Sequence, residues 1–383
     1  MSFSASRLSR AVLGALAFAA MIAIALAGCS SHDDSSDATK PVTWSRVSLP
    51  GGATPVTLTA MGDGLLVGAR DESARVAPRL LVLGGGGDWT PVPLHPHTFY
   101  AFRAQFRSVL TDGRRIYAFG DASGGAHFNA RWTTWSGDIH GVTEYEQGFS
   151  TFGGWGAGTL TGMTFVDSRP VIVGSWSGAD VGLDIVFWHP QGHDWVRGTS
   201  TGTVLASNEH ALNVIRAIGA GPDGAVLAGA ITLLGGGQVR LAPAIWKQSG
   251  PDGTWARVVL PTRQPAQATQ AQCGRDSCLA AGPESGHLAL WTVANGRARA
   301  VPGVPDVAMA DDALALVGPA GATPPRVLTS SGQGSVLLTP GSPWTTQPGP
   351  PGSPLAWAFA HGHTYVITQA RDGTSALWLD GRG

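Results

Sequence analysis

Residues 223–246 read DGAVLAGAITLLGGGQVRLAPAIW: a turn at Asp223-Gly224, the short apolar run Val226-Leu227-Ala228-Gly229, and a second run ending in Ala244-Ile245-Trp246. Asp-Gly between apolar runs is a strong hairpin signal. The first run recurs as Leu65-Leu66-Val67-Gly68, Tyr117-Ala118-Phe119-Gly120, Val171-Ile172-Val173-Gly174, Leu279-Ala280-Ala281-Gly282 and Leu314-Ala315-Leu316-Val317-Gly318. Its glycines stand 52, 54, 55, 53 and 36 residues apart, and Tyr365-Val366-Ile367-Thr368 continues the series 50 residues on, with Thr for Gly. Turn residues precede every copy: Asp63-Gly64, Asp112-Gly113, Asp167-Ser168, Asp276-Ser277, Asp311-Asp312 and His361-Gly362. The second run recurs as Val186-Phe187-Trp188, Ala289-Leu290-Trp291 and Ala376-Leu377-Trp378, with weaker copies at Leu81-Val82-Leu83, Arg131-Trp132 and Val327-Leu328. A further strand follows a short turn at Trp89-Thr90-Pro91-Val92, Trp195-Val196-Arg197 and Trp255-Ala256-Arg257-Val258-Val259-Leu260.

The repeat is thus four strands, A to D, joined by hairpins. Four-stranded units repeating every 40–50 residues or so are the signature of a β-propeller. Counted from Val56, seven A, seven B and seven C strands are followed by only six D strands. Trp44-Ser45-Arg46-Val47-Ser48-Leu49 reads as the missing one, a D strand with no blade ahead of it. The expectation is an all-β, seven-bladed propeller spanning 42–383, its N-terminal strand completing the last blade and removing an open sheet edge. The 36-residue step marks a short blade near 283–318.

Composition agrees. The 383 residues include 54 Gly and 26 Pro, too many punctuators for long helices, while 43% hydrophobic and 13% charged residues with 14 Trp exclude a disordered polyelectrolyte. Lys and Arg number 25 against 26 Asp and Glu, so no electrostatic footprint for nucleic acid exists. Only two of the basic residues are Lys, for which the sequence offers no functional reason.

The N-terminus carries an address. Arg7 and Arg10 precede an apolar run from Ala11 to Ala27, the pattern of a secretory signal and short of the roughly 20 residues that span a bilayer. Leu26-Ala27-Gly28-Cys29 resembles the lipobox of bacterial lipoproteins. That resemblance implies cleavage after residue 28, acylation of Cys29 and attachment to the outer face of the cytoplasmic membrane. The bilayer is then one partner, and stable anchoring needs the two or three chains such proteins carry. Residues 29–41, with the acidic run Ser30-Ser31-His32-Asp33-Asp34-Ser35-Ser36-Asp37, form a polar tether. Removal of residues 1–28 leaves 383 − 28 = 355 residues and, with Arg7 and Arg10 gone, a formal charge of −3 instead of −1.

Cys29 apart, the cysteines are Cys273 and Cys278, flanking the turn Gly274-Arg275-Asp276-Ser277. In an oxidising compartment they make a disulfide across a hairpin. The repeat also resembles the Asp-box repeat of sialidase-like proteins, whose consensus is Ser-x-Asp-x-Gly-x-x-Trp, at Ser249-Gly250-Pro251-Asp252-Gly253-Thr254-Trp255 and, for its last part, Gly192-His193-Asp194-Trp195. In that family the box is a turn between strands C and D, which implies a fold and not an activity.

Ligands of propellers sit where the D-to-A and B-to-C connections gather. The long D-to-A segments are 94–105, 146–158 and 198–212, beside blades 2 to 4. Phe149, Phe152 and Trp155 stand there among Gly, Ser, Thr and Ala, and Tyr100 and Trp176 extend the set; such rings either stack on sugars or plug the channel. Arg103, Glu146, Asp180, Asn208, Glu209 and His210 supply hydrogen-bonding groups. His95-Pro96-His97 lacks a third metal ligand, and His361-Gly362-His363 belongs to an A-to-B turn on the opposite face. No cofactor, metal or catalytic set is expected. Sialidases carry an N-terminal Arg-Ile-Pro-like motif, which Arg46-Val47-Ser48 and Arg75-Val76-Ala77 do not match, and Tyr145-Glu146 is the sole adjacent Tyr–Glu pair. The sequence therefore points to a monomeric, membrane-anchored binding or scaffolding protein that recognises a cell-envelope glycan or protein through blades 2 to 4. The alternative is a glycan-active hydrolase or lyase at the same face, which needs Glu146, Asp180 and Glu209 to converge with an arginine.

Overall fold

The computed structural model describes residues 41–124, 128–221, 224–249, 254–318, 325–332 and 334–381. The signal segment, Cys29 and the tether up to residue 40 lie outside them, as does 250–253 of the Asp-box-like stretch. Seven sheets form the ring. In blades 1 to 3, strands A to D are Thr54–Met61, Gly64–Arg70, Pro78–Leu83 and Trp89–Val92; Gln105–Thr111, Ile116–Gly124, Asn129–Asp138 and Gly141–Tyr145; Ala157–Val166, Arg169–Ser177, Leu183–Gln191 and Asp194–Arg197. Blade 4 has Ala211–Gly221, Gly224–Gly235, Gln238–Ser249 and Thr254–Val259, and blade 5 has Gln270–Cys273, Ser277–Glu284, His287–Ala294 and Arg297–Ala300. Blade 6 has Ala315–Gly318, Arg326–Ser331, Gly334–Thr339 and Thr345–Pro348; blade 7 has Ser353–Ala360, His363–Gln369 and Ser375–Gly381. Leu94–His95 adds a fifth, parallel strand outside strand D of blade 2.

The glycine that marks the repeat has a steric reason. Strand A carries one extra residue in five blades, at Val56, Arg107, Thr161, Arg216 and Leu355, where the pairing register slips. Such a bulge bends a strand and sharpens its twist. The backbone of strand A is thereby driven onto strand B, so a Cβ at Gly120, Gly174, Gly229 or Gly282 would overlap the carbonyl of Gln105, Thr159, Val214 or Gln267. In blades 6 and 7 a threonine serves instead: Thr329 and Thr368 donate their hydroxyls to the carbonyls of Leu314 and Pro351, at 3.1 and 2.5 Å.

Two strand assignments differ from the sequence reading. Ala315–Gly318 is the inner strand A of blade 6, not strand B, and pairs with Arg326–Ser331 as strand B. Its terminal Gly imitated the repeat, so the 36-residue step measures a strand A against a strand B and no short blade exists. The C-strand tryptophan of blade 2 is Trp135, not Trp132. Trp135, Trp188, Trp246 and Trp291 are all fully buried and stand two residues beyond the partner of the B-strand glycine. The core is these indoles together with B strands such as Gly64–Arg70, buried along nearly their whole length because both sheet faces meet a neighbouring blade.

The ring closes as the repeat count requires. Thr43–Val47 lies antiparallel on the last strand, from Thr43 opposite Gly381 to Val47 opposite Leu377, and serves as strand D of blade 7. It also grips blade 6, where Trp44 Nε1 donates to the Pro348 carbonyl (3.2 Å) and Val42 N to Gln347 Oε1 (2.9 Å). Beneath it the buried Asp380 accepts from Thr364 N (2.7 Å) and lies 3.6 Å from Arg326 Nη2 of blade 6. Burial first, and the Asp380 charge second, raise the Tyr365 phenol above its ordinary pKa. On blade 5, Cys273 and Cys278 are directly paired across strands A and B and form a disulfide.

Asp380→Ala would leave Arg326 and the Thr364 N–H without their buried acceptor, which costs about 3 kcal/mol. Denaturant unfolding should show that loss; a change within about 0.5 kcal/mol, the range of an ordinary surface substitution, would mean closure does not depend on this carboxylate.

Candidate functional site

In blades 3, 4 and 5 the buried tryptophan does a second job. Each indole N–H donates to a carbonyl of the D-to-A connection entering its own blade: Trp188 to Thr151 (2.8 Å), Trp246 to Val204 (3.3 Å) and Trp291 to Pro261 (2.8 Å). Blade 2 departs from this pattern. Trp135 Nε1 donates to Thr133 Oγ1 (3.0 Å), and the entering connection is held by a carboxylate. Glu144, only 1% exposed, accepts from His97 N (2.6 Å), Thr98 N (2.7 Å) and Thr98 Oγ1 (2.5 Å). Charge-assisted bonds of this kind are the strong ones.

The next connection is tied to blade 3. Gln147 accepts from Trp195 N (3.0 Å) and donates to the His193 carbonyl (2.8 Å), and Tyr145 stacks on the His193 ring at 3.9 Å. A single helical turn, Phe149–Phe152, then turns Phe152 inward against Trp188 and leaves Phe149 out. Between the two anchored connections lies a cavity of about 210 Å³, lined by Thr98, Tyr100, Arg131, Glu144, Glu146 and Phe149 among others. The Tyr100 ring lies over Gly124, where a Cβ would overlap it. The Arg131 guanidinium carbon sits 4.7 Å from the Phe149 ring centre and 5.9 Å from that of Tyr100.

The rim is aromatic. Among the described residues, the exposed Phe and Trp side chains are Phe99, Phe128, Phe149 and Trp155, with Trp155 fully exposed. They come from the D-to-A and B-to-C connections on one face of blade 2. Phe128 holds φ at +51°, a left-handed conformation uncommon for a bulky residue.

Of the eleven side chains singled out from the sequence, Tyr100, Glu146, Phe149 and Phe152 line the cavity, and Trp155 stands exposed on the same connection. Trp176 lies behind it, edge-on to Trp188 and under the Arg197 guanidinium at 3.8 Å. Burial there lowers the Arg197 pKa from its ordinary value. The remaining five lie elsewhere. Arg103 is exposed and offers its carbonyl to Arg70 Nη1 (3.0 Å), Asp180 is exposed in the B-to-C connection of blade 3, and Asn208 closes the turn that carries the exposed pair Glu209 and His210. Only one of the three carboxylates required for a hydrolase, Glu146, therefore reaches the cavity. His95 packs on Gly141, and His97 contributes its backbone N–H to Glu144.

Sequence reading missed Arg131 and Glu144. Arg131 was absorbed into a strand repeat that belongs to Trp135. The signal lay in the turns: Trp188, Trp246 and Trp291 each precede their C-to-D turn residue by four positions, as Trp135 precedes Ile139 and Trp132 does not.

No family model matches this sequence, and no curated protein does. Solved structures share the fold. The β-propeller domain of the Trilobed protease from Pyrococcus furiosus aligns with a TM-score of 0.50 and 9% identity, over 86% of this chain and 94% of that one. A Mycobacterium tuberculosis puromycin-hydrolyzing peptidase gives 0.51 and 13%, over 87% and 55%, and an acylaminoacyl peptidase of Pyrococcus horikoshii gives 0.49 and 10%, over 85% and 51%. This chain thus spans about half the length of the two peptidases.

Glu144→Ala would strip three donors of their acceptor and release the connection that carries Tyr100. A stability loss of about 3 kcal/mol is expected, with amide hydrogen exchange speeding up at Thr98 and Ala101. Unchanged exchange there would show that the connection is held by other contacts.

Proposed function

We propose that this chain is an exported, lipid-anchored propeller that binds a glycan at the blade 2 cavity, as a monomer on the outer face of the cytoplasmic membrane. The observation that carries the binding reading is the aromatic rim: of the exposed Phe and Trp side chains among the described residues, Phe149 lines the cavity, Phe99 and Trp155 stand on the connections that also supply its lining, and Phe128 directly precedes the strand that supplies Arg131. Trp155, flanked by Gly153, Gly154 and Gly156, is fully exposed, which suits stacking on a sugar face. Anchored connections on both sides preform the site, so little ordering entropy opposes binding.

The anchor reading rests on Leu26-Ala27-Gly28-Cys29 and the tether behind it. Topology adds a consistent geometry. Thr43 begins its strand level with Gly381 and close to the A-to-B turn of blade 7, so the first strand of the propeller starts on the face opposite the D-to-A connections.

Two measurements test the reading. Cys29→Ser is expected to abolish metabolic palmitate labelling and move the protein from the membrane to the soluble fraction; retention in the membrane would overturn the anchor. Glycan-array binding by the detergent-solubilised chain is expected to fall at least tenfold in Trp155→Ala, in line with about 1–3 kcal/mol for a stacked ring. Binding unaffected by that substitution would refute the stacking.

A further inference from the structure

We infer that the glycan taken by this cavity is acidic, and that Arg131 reads its carboxylate; the inference rests on the glycan-binding reading above. Five arginines of the propeller are matched to oxygen. Arg79 pairs with Asp71 at 2.6 Å, Arg107 with Asp121, and Arg326 lies 3.6 Å from Asp380. Arg216 Nε donates to Gln267 Oε1 (2.8 Å), and Arg257 Nη1 to Asn213 Oδ1 (3.4 Å). Arg131 makes no hydrogen bond or ion pair with any described residue, although it lines a cavity that also holds two glutamates, and its Nε is buried without a partner.

Neither glutamate forms an ion pair with it. Glu144 commits both oxygens to His97 and Thr98, and Glu146 is exposed with no ion pair to Arg131. Meanwhile Phe149 and Tyr100 lie against the guanidinium, which restricts its plane and desolvates it. A positioned, poorly hydrated guanidinium with unpaired N–H groups is a fork for a planar two-oxygen acceptor. Desolvation makes that acceptor's charge count for more than it would at the surface.

The remaining lining fits a sugar around the carboxylate. Glu146 stands at the cavity to bond hydroxyl groups, and Phe149 offers a ring face beside Arg131. About 210 Å³ admits one ring-sized group rather than a folded segment. A neutral glycan would use the rings and leave Arg131 unmatched in a desolvated site, where an unpaired polar group is costly. The geometry thus selects for acid.

Titration calorimetry on the detergent-solubilised full chain tests this with oligomers of galacturonic and glucuronic acid, the same oligomers after reduction of the carboxyl to alcohol, and a glutamate-rich peptide. The acidic oligomer of at least one series is expected to bind ten times or more tighter than its reduced form, and the advantage should shrink as salt rises. Arg131→Gln should cut the affinity for the acidic oligomer at least tenfold more than that for the reduced one, Arg131→Lys should keep part of the advantage, and Trp155→Ala should weaken both forms alike. Equal binding of both forms, or an equal loss of both in Arg131→Gln, would overturn the acidic inference while glycan binding stood. Binding of no oligomer would overturn glycan binding and this inference together, and Arg131-dependent capture of the peptide alone would assign the cavity to protein instead.

Discussion

A ring of blades has two open edges until something pairs them, and here that task falls to five residues, Thr43–Val47, laid on Ser375–Gly381. An unpaired strand exposes a row of N–H and C=O groups to other chains. The pairing is also a long-range one, joining residues more than 330 positions apart, so its loop-closure cost is met only once the blades between have formed. Asp380 sits at that seam and draws on three elements at once: Thr364 of the neighbouring strand, Arg326 of blade 6 and the closing strand, where Trp44 stands opposite it. Each blade touches chiefly the blades on either side, so the spacing of any two loops on the rim is set by closure of the whole ring. The cavity of blade 2 is held between its own sheet and blade 3, and inherits that rigidity.

In blades 3 to 5, one indole per blade links core to rim. The tryptophan of strand C is buried for packing, which obliges its N–H to find an acceptor. In blades 3 to 5 the nearest free carbonyl belongs to the connection arriving from the preceding blade, so packing the core also fixes the loop. Blade 2 turns its indole to Thr133 and needs a different clamp, the Glu144 carboxylate. That exchange places a buried negative charge beneath the rim and leaves Arg131 above it without a mate. Blade 2, which uses a carboxylate where blades 3 to 5 use an indole, is also the one that holds the cavity. Departures from local consistency of this kind concentrate where function is carried.

Much of this was legible in the sequence, and the rest was not for identifiable reasons. The B-strand glycines could be read because in blades 2 to 5 a facing backbone carbonyl leaves no space for Cβ, so the residue type is forced there. Strand A of blade 6 misled because Ala-Leu-Val-Gly there looks like a B strand, and a buried inner strand has no period that distinguishes it. The aromatic residues of 149–155 were visible as a surplus, but not which would face solvent: Phe149 and Phe152 sit one helical turn apart, and only the anchoring of Gln147 and Trp188 decides that Phe152 goes in. Arg131 was invisible because it neighbours Trp132, which matched the repeat by composition and not by register. Asn208, Glu209 and His210 read as ligand groups, yet they make a turn closed by the Asn208 side chain, the ordinary behaviour of Asn before a strand.

Strand direction carries the argument one step further. In a blade whose strands run alternately up and down, both ends of a connection lie on the same face, and strand D always finishes where the next strand A begins. The closing strand is a D strand, so its first residue must lie on the opposite face from every D-to-A connection, whatever the loops contain. Thr43 accordingly lies level with Gly381, while Tyr100, Glu146 and Phe149 extend from the ends of D strands. The N-terminal strand D thus starts the full height of a blade away from the rim of loops. Loops on that rim can lengthen, gain rings or lose them without disturbing the seam that holds the ring shut.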